Sequence, residues 1–243
     1  MNISELNTEI EPTWCPGCGA YGFLAAIKKA ITDLKVPPKE VVITYDIGCA
    51  ANMINNLNVC GFTTLHGRSI PVAVGVKMAN PKLTVIAQGG EGGVLTEGGN
   101  HLIHAAQRDD DITVLINNNY VFGLTAGQAS AATPIGTKTK TTPEGNPYPP
   151  ISAVDLVAVC GGSFLARTLA MEVEKTASII GLAIKHKGFS LVEIIQPCVI
   201  WAKDLQKYGP TDQGVWLDKP LLDPKEIVGK ESLLGVLYER QTK

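Results

Sequence analysis

The chain has 243 residues, 45% hydrophobic and 18% charged, which is enough for one large α/β domain with a substantial core. Its 21 basic and 23 acidic side chains give a formal net charge of −2, so no broad cationic field exists to hold nucleic acid. No apolar run approaches the roughly 18 residues that span a bilayer, and the acidic start, residues 1–11, lacks the basic-then-apolar order of a signal peptide; no membrane contact and a cytoplasmic location are expected.

In chain order, residues 15–18 (CPGC) follow Trp14 and precede an apolar helical stretch. Residues 41–45 (VVITY) read as a buried strand. Residues 69–79 carry apolar side chains at helical spacing, with Pro71 in the first turn. A strand over 83–87, a helix over 96–107 and a strand over 112–116 follow. Residues 136–150 hold four prolines and no periodicity, and predict a long loop of the kind that is often functional. Then come a helix over 153–159, a strand over 162–165, a helix over 171–186 and a strand over 190–195. The tail, 201–243, is polar and turn-rich until 232–239, whose spacing predicts a short amphipathic helix. Continuous β-branched strands alternating with helices predict an α/β fold: a mostly parallel sheet with helices on both faces. One domain is expected over 1–243.

In an open parallel sheet, ligands bind beyond the carboxyl ends of the strands. Those ends carry Asp46-Ile47-Gly48-Cys49, Gln88-Gly89-Gly90-Glu91-Gly92-Gly93, Asn117-Asn118-Asn119 running on to Gly123-Leu124-Thr125, and Gln196-Pro197-Cys198. Small, polar or thiol residues at all four predict a site. Bare glycine amides suit a diphosphate, and a hard cation that takes about six oxygen ligands would find a carboxylate in Glu91 and an amide oxygen in Asn119. The dinucleotide fingerprint fails because Leu95 stands where its last glycine belongs, and no Gly-Lys-Ser/Thr phosphate loop occurs. A glycine–acid–glycine turn followed 28 residues later by an asparagine after the next strand has the spacing of a thiamine diphosphate–magnesium motif. A tight strand-to-helix turn would need glycine in any case.

The segment from Gly89 to Pro134, together with LHGRSIPVAVGVKMA from Leu65, resembles the β subunit of 2-oxoacid:ferredoxin oxidoreductases, in consistent order from about Thr13 to Cys198. The resemblance implies a thiamine diphosphate-binding fold in which Glu91, Asn119 and the Val121 carbonyl hold Mg²⁺. It also implies that Gly90, Gly92, Leu124 and Thr125 line the diphosphate, with Cys49, Gly93 and Gly123 beside the cofactor. The chain departs from it at two positions: the family usually has aspartate at Glu91 and a second aspartate at Gly93. His66, in a His-Gly-Arg turn whose other reading is a helix cap or a solvated pair, falls by resemblance at the cofactor pocket. Asn52 stands where some members carry a lysine for a distal substrate carboxylate, which leans toward pyruvate or another 2-oxoacid with an uncharged tail. His101 and His104, three apart, are read as packing or capping residues.

By composition alone the CPGC pair is a redox motif, half a zinc site or part of an iron–sulfur site. No second CxxC completes a zinc set. A 4Fe–4S cluster needs four thiolates, and Cys15, Cys18, Cys49 and Cys198 fit; the resemblance supports all four through TWCPGCG, IGC and QPC. An amino-terminal iron–sulfur loop over about 1–20 is therefore expected. Cys60 and Cys160 are expected to be simply buried. The implied reaction takes a 2-oxoacid, coenzyme A and oxidised ferredoxin to acyl-CoA, CO₂ and reduced ferredoxin. The alternatives are a non-oxidative thiamine-dependent decarboxylase or synthase subunit, and a degenerate non-catalytic chain. No residue is assigned to activate the aminopyrimidine of the cofactor, so activity is expected only in a heteromer with an α (or αγ) partner.

Overall fold

The computed structural model describes residues 2–196, 198–208 and 214–240; Met1, Pro197 of the QPC segment, and 209–213 and 241–243 of the tail lie outside the described residues. The strands in chain order are β1 (Val41–Tyr45), β2 (Cys60–Thr63), β3 (Thr84–Gly90), β4 (Thr113–Asn118), β5 (Val121–Phe122), β6 (Gln128–Ala129), β7 (Phe164–Leu169), β8 (Ser190–Ile195), β9 (Val215–Trp216) and β10 (Leu233–Glu239). The α-helices are α1 (Ala20–Leu34), α2 (Ser69–Ala79), α3 (Gly99–Arg108), α4 (Ala153–Cys160) and α5 (Val173–Lys185). Eight strands form one sheet in the order β2-β1-β3-β4-β8-β7-β10-β9, parallel except where β10 runs antiparallel to β7. The predicted sheet with helices on both faces is the one observed.

The central strands are apolar throughout because both of their faces are covered. On one face Phe23, Ile27 and Ile31 of α1 and Ile180 of α5 pack with Ile43, Ile86, Leu115 and Val192. On the other, Ile70 of α2, Leu102 of α3 and Val157 of α4 pack with Val85, Val114, Ile116 and Leu191. Adjacent residues of a strand thus feed opposite cores, as the two-residue period requires. The predicted loop over 136–150 contains no helix or strand. Among the described residues, no helix is long and apolar enough to cross a membrane.

The strand expected over 162–165 lies over Phe164–Leu169, and two further segments differ in kind from expectation. The span 232–239 is strand β10, not a helix. Its register shifts between Val236 and Tyr238, so the buried Leu234 and Leu237 stand three apart, a spacing that imitates a helix. Gly235, at φ +100°, could not sit comfortably inside a helix. The segment expected as one helix over 96–107 begins instead with a π-helical turn over Gly92–Glu97 and becomes α-helical only at Gly99. Such wide turns concentrate at functional sites.

Candidate functional site

The carboxyl ends of β1, β3, β4 and β8 meet around one cleft, lined by Ile47, Cys49, His66, Gly90, Glu91, Asn119 and Gly123 among others. Gly92, Gly93, Val121, Leu124 and Thr125 line the same cleft. Each predicted diphosphate-corner residue is therefore present at it.

The glycines do different work. A Cβ on Gly92 would fall 2.6 Å from the Phe122 ring, and one on Gly93 would fall 2.1 Å from Asp46 Oδ2. At Gly90 the nearest atom would be 3.9 Å away, so this glycine leaves open space in the cleft. Glu91 is 1% exposed. Its Oε1 accepts from Ser130 Oγ at 2.8 Å and its Oε2 from the Asn119 amide at 3.3 Å. Burial nevertheless pushes the carboxyl up to about 7, the Ser130 and Asn119 donors offsetting only part of it. Asn119 Oδ1 accepts from the Val121 amide at 3.0 Å. A buried carboxylate beside an amide oxygen and an adjacent main-chain carbonyl is a hard-oxygen donor set of the type magnesium takes.

The asparagine loop is held in a strained form. Tyr120 (φ +66°) and Ala126 (φ +80°) both adopt left-handed backbone. Behind it, Asn118 accepts from the Tyr120 amide and donates to Glu193 Oε1 at 2.8 Å. Glu193 in turn accepts from Arg167 Nε at 2.7 Å. A second cavity opens onto this group. Arg167 there also donates to the Lys230 and Glu231 carbonyls, so its charge is already met and the network serves to prop the loop.

Cys15, Cys18, Cys49 and Cys198 come together. Burial pushes Cys49 up to about 11, and Cys18, Cys198 and Cys15 add to it through their charges. Cys18 is raised by burial first and then by Cys198 and Cys15. Glycine contacts seat the amino-terminal loop: a Cβ on Gly19 would meet Gln196 Cγ at 2.7 Å, and one on Gly22 would meet the Ala170 carbonyl at 2.3 Å. Trp14 Nε1 donates to the Cys49 carbonyl at 2.8 Å. Among the described residues, no three His, Cys, Asp or Glu side chains close on a single metal ion. Four thiols near one another, not converged on a point, suit a bulky multi-iron group better than a lone zinc. The expectation that Cys60 and Cys160 are simply buried does not hold: Cys60, on the exposed edge strand β2, is exposed, and Cys160, the last residue of α4, is half-buried.

A row of amides along the sheet edge was not singled out as functional. Gln88 Nε2 donates to Asn117 Oδ1 at 2.7 Å, Asn117 Nδ2 to Gln196 Oε1 at 2.8 Å, and Gln196 Nε2 to Cys18 Sγ at 3.5 Å. Its signal was available: each polar residue interrupts an apolar strand at its carboxyl end. Asn52 takes no place in the cleft lining; its amide donates to Thr13 Oγ1 at 2.9 Å, beside the CPGC loop. His101 faces Arg68 Nη1 at 2.6 Å and His104 faces Gln107 at 3.2 Å, so both serve local surface packing on α3.

Residues 46–194 match the family described as thiamine pyrophosphate enzyme, C-terminal TPP binding domain. The chain is 38% identical to 2-oxoacid:ferredoxin oxidoreductase 1, subunit beta, of Aeropyrum pernix, over 95% of this chain and 74% of that one. It is 43% identical to the 2-oxoacid:ferredoxin oxidoreductase subunit beta of Saccharolobus solfataricus, over 76% of this chain and 61% of the relative. A solved 2-oxoglutarate:ferredoxin oxidoreductase from Magnetococcus marinus, with 2-oxoglutarate, coenzyme A and succinyl-CoA bound, superposes with a TM-score of 0.92 at 28% identity, covering 100% of this chain and 86% of that one. A family match over residues 46–194, 38% identity over 95% of the chain and a superposition over all of it lead to one conclusion: the chain belongs to the β subunits of the 2-oxoacid:ferredoxin oxidoreductases.

Proposed function

We propose that this chain is the catalytic β subunit of a complex that oxidatively decarboxylates a 2-oxoacid with coenzyme A, giving acyl-CoA and CO₂ and passing electrons to ferredoxin. The chain acts as a single thiamine diphosphate-binding domain with an amino-terminal iron–sulfur loop. Thiamine diphosphate, when bound, supplies the electron sink for loss of CO₂, and a 4Fe–4S cluster supplies the one-electron outlet. Glu91, Asn119 and the Val121 carbonyl hold Mg²⁺. The space over Gly90, with Gly92, Leu124 and Thr125, admits the diphosphate. His66 lines the cleft. Cys15, Cys18, Cys49 and Cys198 hold the cluster.

One observation carries the reading. A Cβ on Gly123 would lie 3.4 Å from Asn119 Nδ2, 3.6 Å from Cys49 Sγ and 3.9 Å from Cys198 Sγ. The magnesium corner and the thiols thus share one wall, as direct electron transfer out of the cofactor requires. A non-oxidative decarboxylase has no use for that proximity. Among the described residues the cleft lining contains no lysine or arginine, and so no ionic partner for a second carboxylate. That favours pyruvate or a similar 2-oxoacid over a dicarboxylate.

Ile47 (37% exposed) and Leu124 (61%) line the cleft, and Leu65 (78%) adjoins His66. An apolar rim at the mouth of a site suits coverage by an α (or αγ) partner, which completes the cofactor pocket. Anaerobic co-purification with that partner tests the whole. About four iron per chain, bound thiamine diphosphate, and pyruvate- and CoA-dependent ferredoxin reduction are expected. Bound thiamine diphosphate without iron would favour the non-oxidative alternative, and absence of both would favour a degenerate subunit.

A further inference from the structure

We infer that Asp46 is a positioning residue of this cleft: it takes the volume off Gly93 in which a carboxylate is otherwise expected, and it orients His66. The inference rests on the reading of the cleft given above. Asp46 follows β1 directly and is fully buried. Its Oδ1 accepts from the Ile47 and Gly67 amides, both at 2.8 Å. Its Oδ2 is buried with no donor, and so is His66 Nδ1. Two adjacent buried polar atoms without partners are rare in a folded chain, and each calls for a physical account.

Space explains the departure at Gly93. A Cβ on Gly93 would lie 2.1 Å from Asp46 Oδ2, 2.8 Å from Asp46 Cγ and 2.9 Å from His66 Nδ1. A Cβ on Gly89 would lie 2.9 Å from Asp46 Cβ. The Asp46 carboxyl is wedged between two glycines, and any side chain at 93 would need the same space. The family resemblance leads to an aspartate at 93. This chain carries glycine there and reaches the same volume from the neighbouring strand end. One carboxylate fits; two do not. The carboxylate that the resemblance places at 93 is supplied here by Asp46.

The carboxylate then sets the imidazole. His66 Nδ1 lies 3.8 Å from Asp46 Oδ1 and 3.4 Å from Glu97 Oε1, and the ring meets Phe122 edge-on at 5.9 Å. A small tilt lets Nδ1–H donate to Asp46 and satisfies both orphans. Held so, the ring turns Nε2 to the cleft as an acceptor, the arrangement by which a carboxylate fixes a histidine tautomer. Glu97 is 44% exposed at its side chain and screened by water, so it is the weaker director.

The test uses the chain in complex with its partner subunit. Histidine-selective ¹⁵N spectra, taken where the four histidine rings are neutral, are expected to show His66 with its proton on Nδ1. Asp46→Asn is expected to move the proton to Nε2, and Glu97→Gln to leave it. An unchanged His66 tautomer in Asp46→Asn overturns the inference, as does a change produced by Glu97→Gln alone. The spatial half is tested by magnesium–thiamine diphosphate titration. Gly93→Asp is expected to weaken binding by about tenfold or more, and the reciprocal pair Asp46→Gly with Gly93→Asp to restore it to within about threefold of the parent. A double variant no better than Gly93→Asp overturns it. If the parent complex itself binds no thiamine diphosphate, the function proposed above fails, while the ring spectra still decide the role of Asp46.

Discussion

The two ends of the parallel sheet each hold a carboxylate beside a histidine, half-buried at the amino end and fully buried at the carboxyl end, and they use them in opposite ways. At the amino end, Asp109, which ends α3 at φ +56°, accepts from the Phe189 amide at 2.9 Å and from Arg240 Nη1 at 2.7 Å. Ser163 Oγ lies 2.5 Å from Asp109 Oδ1 and 2.8 Å from His186 Nε2, and His186 Nδ1 lies 3.5 Å from Glu239 Oε1. At the carboxyl end, Asp46 Oδ2, His66 Nδ1 and Gln88 Oε1 have no partner, and Glu91 sits buried with a raised pKa. The first group is a clasp that ties β10 and the α3 turn to β7 and β8. The second is polar beyond what folding needs, and that surplus marks the end that binds ligand.

The sharpest way to break this contrast is at Glu91. Glu91→Ala is expected to cut magnesium-dependent retention of thiamine diphosphate about a thousandfold, equivalent to roughly 4 kcal/mol, while the fold persists. Equilibrium dialysis against the cofactor with and without Mg²⁺ checks it. Retention independent of both Glu91 and magnesium would remove the ligand assignment.

A smaller effect comes from the proton on the same carboxyl. Its folded value is about 7 against 4.5 when unperturbed. Between those values the folded chain holds a proton that the unfolded chain has released. Stability is therefore fully present below the unfolded value and is lost as pH rises through the folded one. For the metal-free chain the decline is roughly 3 kcal/mol. Urea titrations across that window should show it, Glu91→Gln should flatten it, and saturating Mg²⁺ should oppose it. A flat parent profile without metal would mean that Glu91 is already ionised and compensated.

How far the site could be read from the sequence follows from the same contrast. Strand ends, glycine turns and thiols are local, so Glu91, Asn119 and the four cysteines were legible from spacing and resemblance. The strands 41–45 and 190–195 and the helix 69–79 were legible to the residue, because buried parallel strands and a Pro-started helix carry strong patterns. Asp46 was visible only as a polar residue after a strand. Its exclusion of any side chain at Gly93 is a contact across 47 positions that no periodicity encodes. Edge strand β2, exposed along its length, lacked the apolar signal. In β10 a bulge wrote a helical spacing into a strand.

At the amino end the expected effects concern stability alone. Asp109→Ala removes acceptors for Phe189, Ser163 and Arg240, and is expected to cost about 2 kcal/mol in denaturant unfolding with the cofactor affinity of the folded complex unchanged.

The smallest effect is the most discriminating. Ser163, His186 and Glu239 align in the order of a nucleophile, a base and an orienting acid. Yet Ser163 is 1% exposed, and its hydroxyl already has Asp109 and the Phe189 carbonyl within hydrogen-bonding distance. A nucleophile needs an approach path as well as a base, and this serine has none. Ser163→Ala is therefore expected to cost only about 1 kcal/mol of stability, with turnover of the assembled complex unaltered. If turnover fell while folding and both cofactors were retained, the amino end would hold chemistry of its own, and unpartnered polar atoms would no longer separate the working edge of this sheet from the structural one.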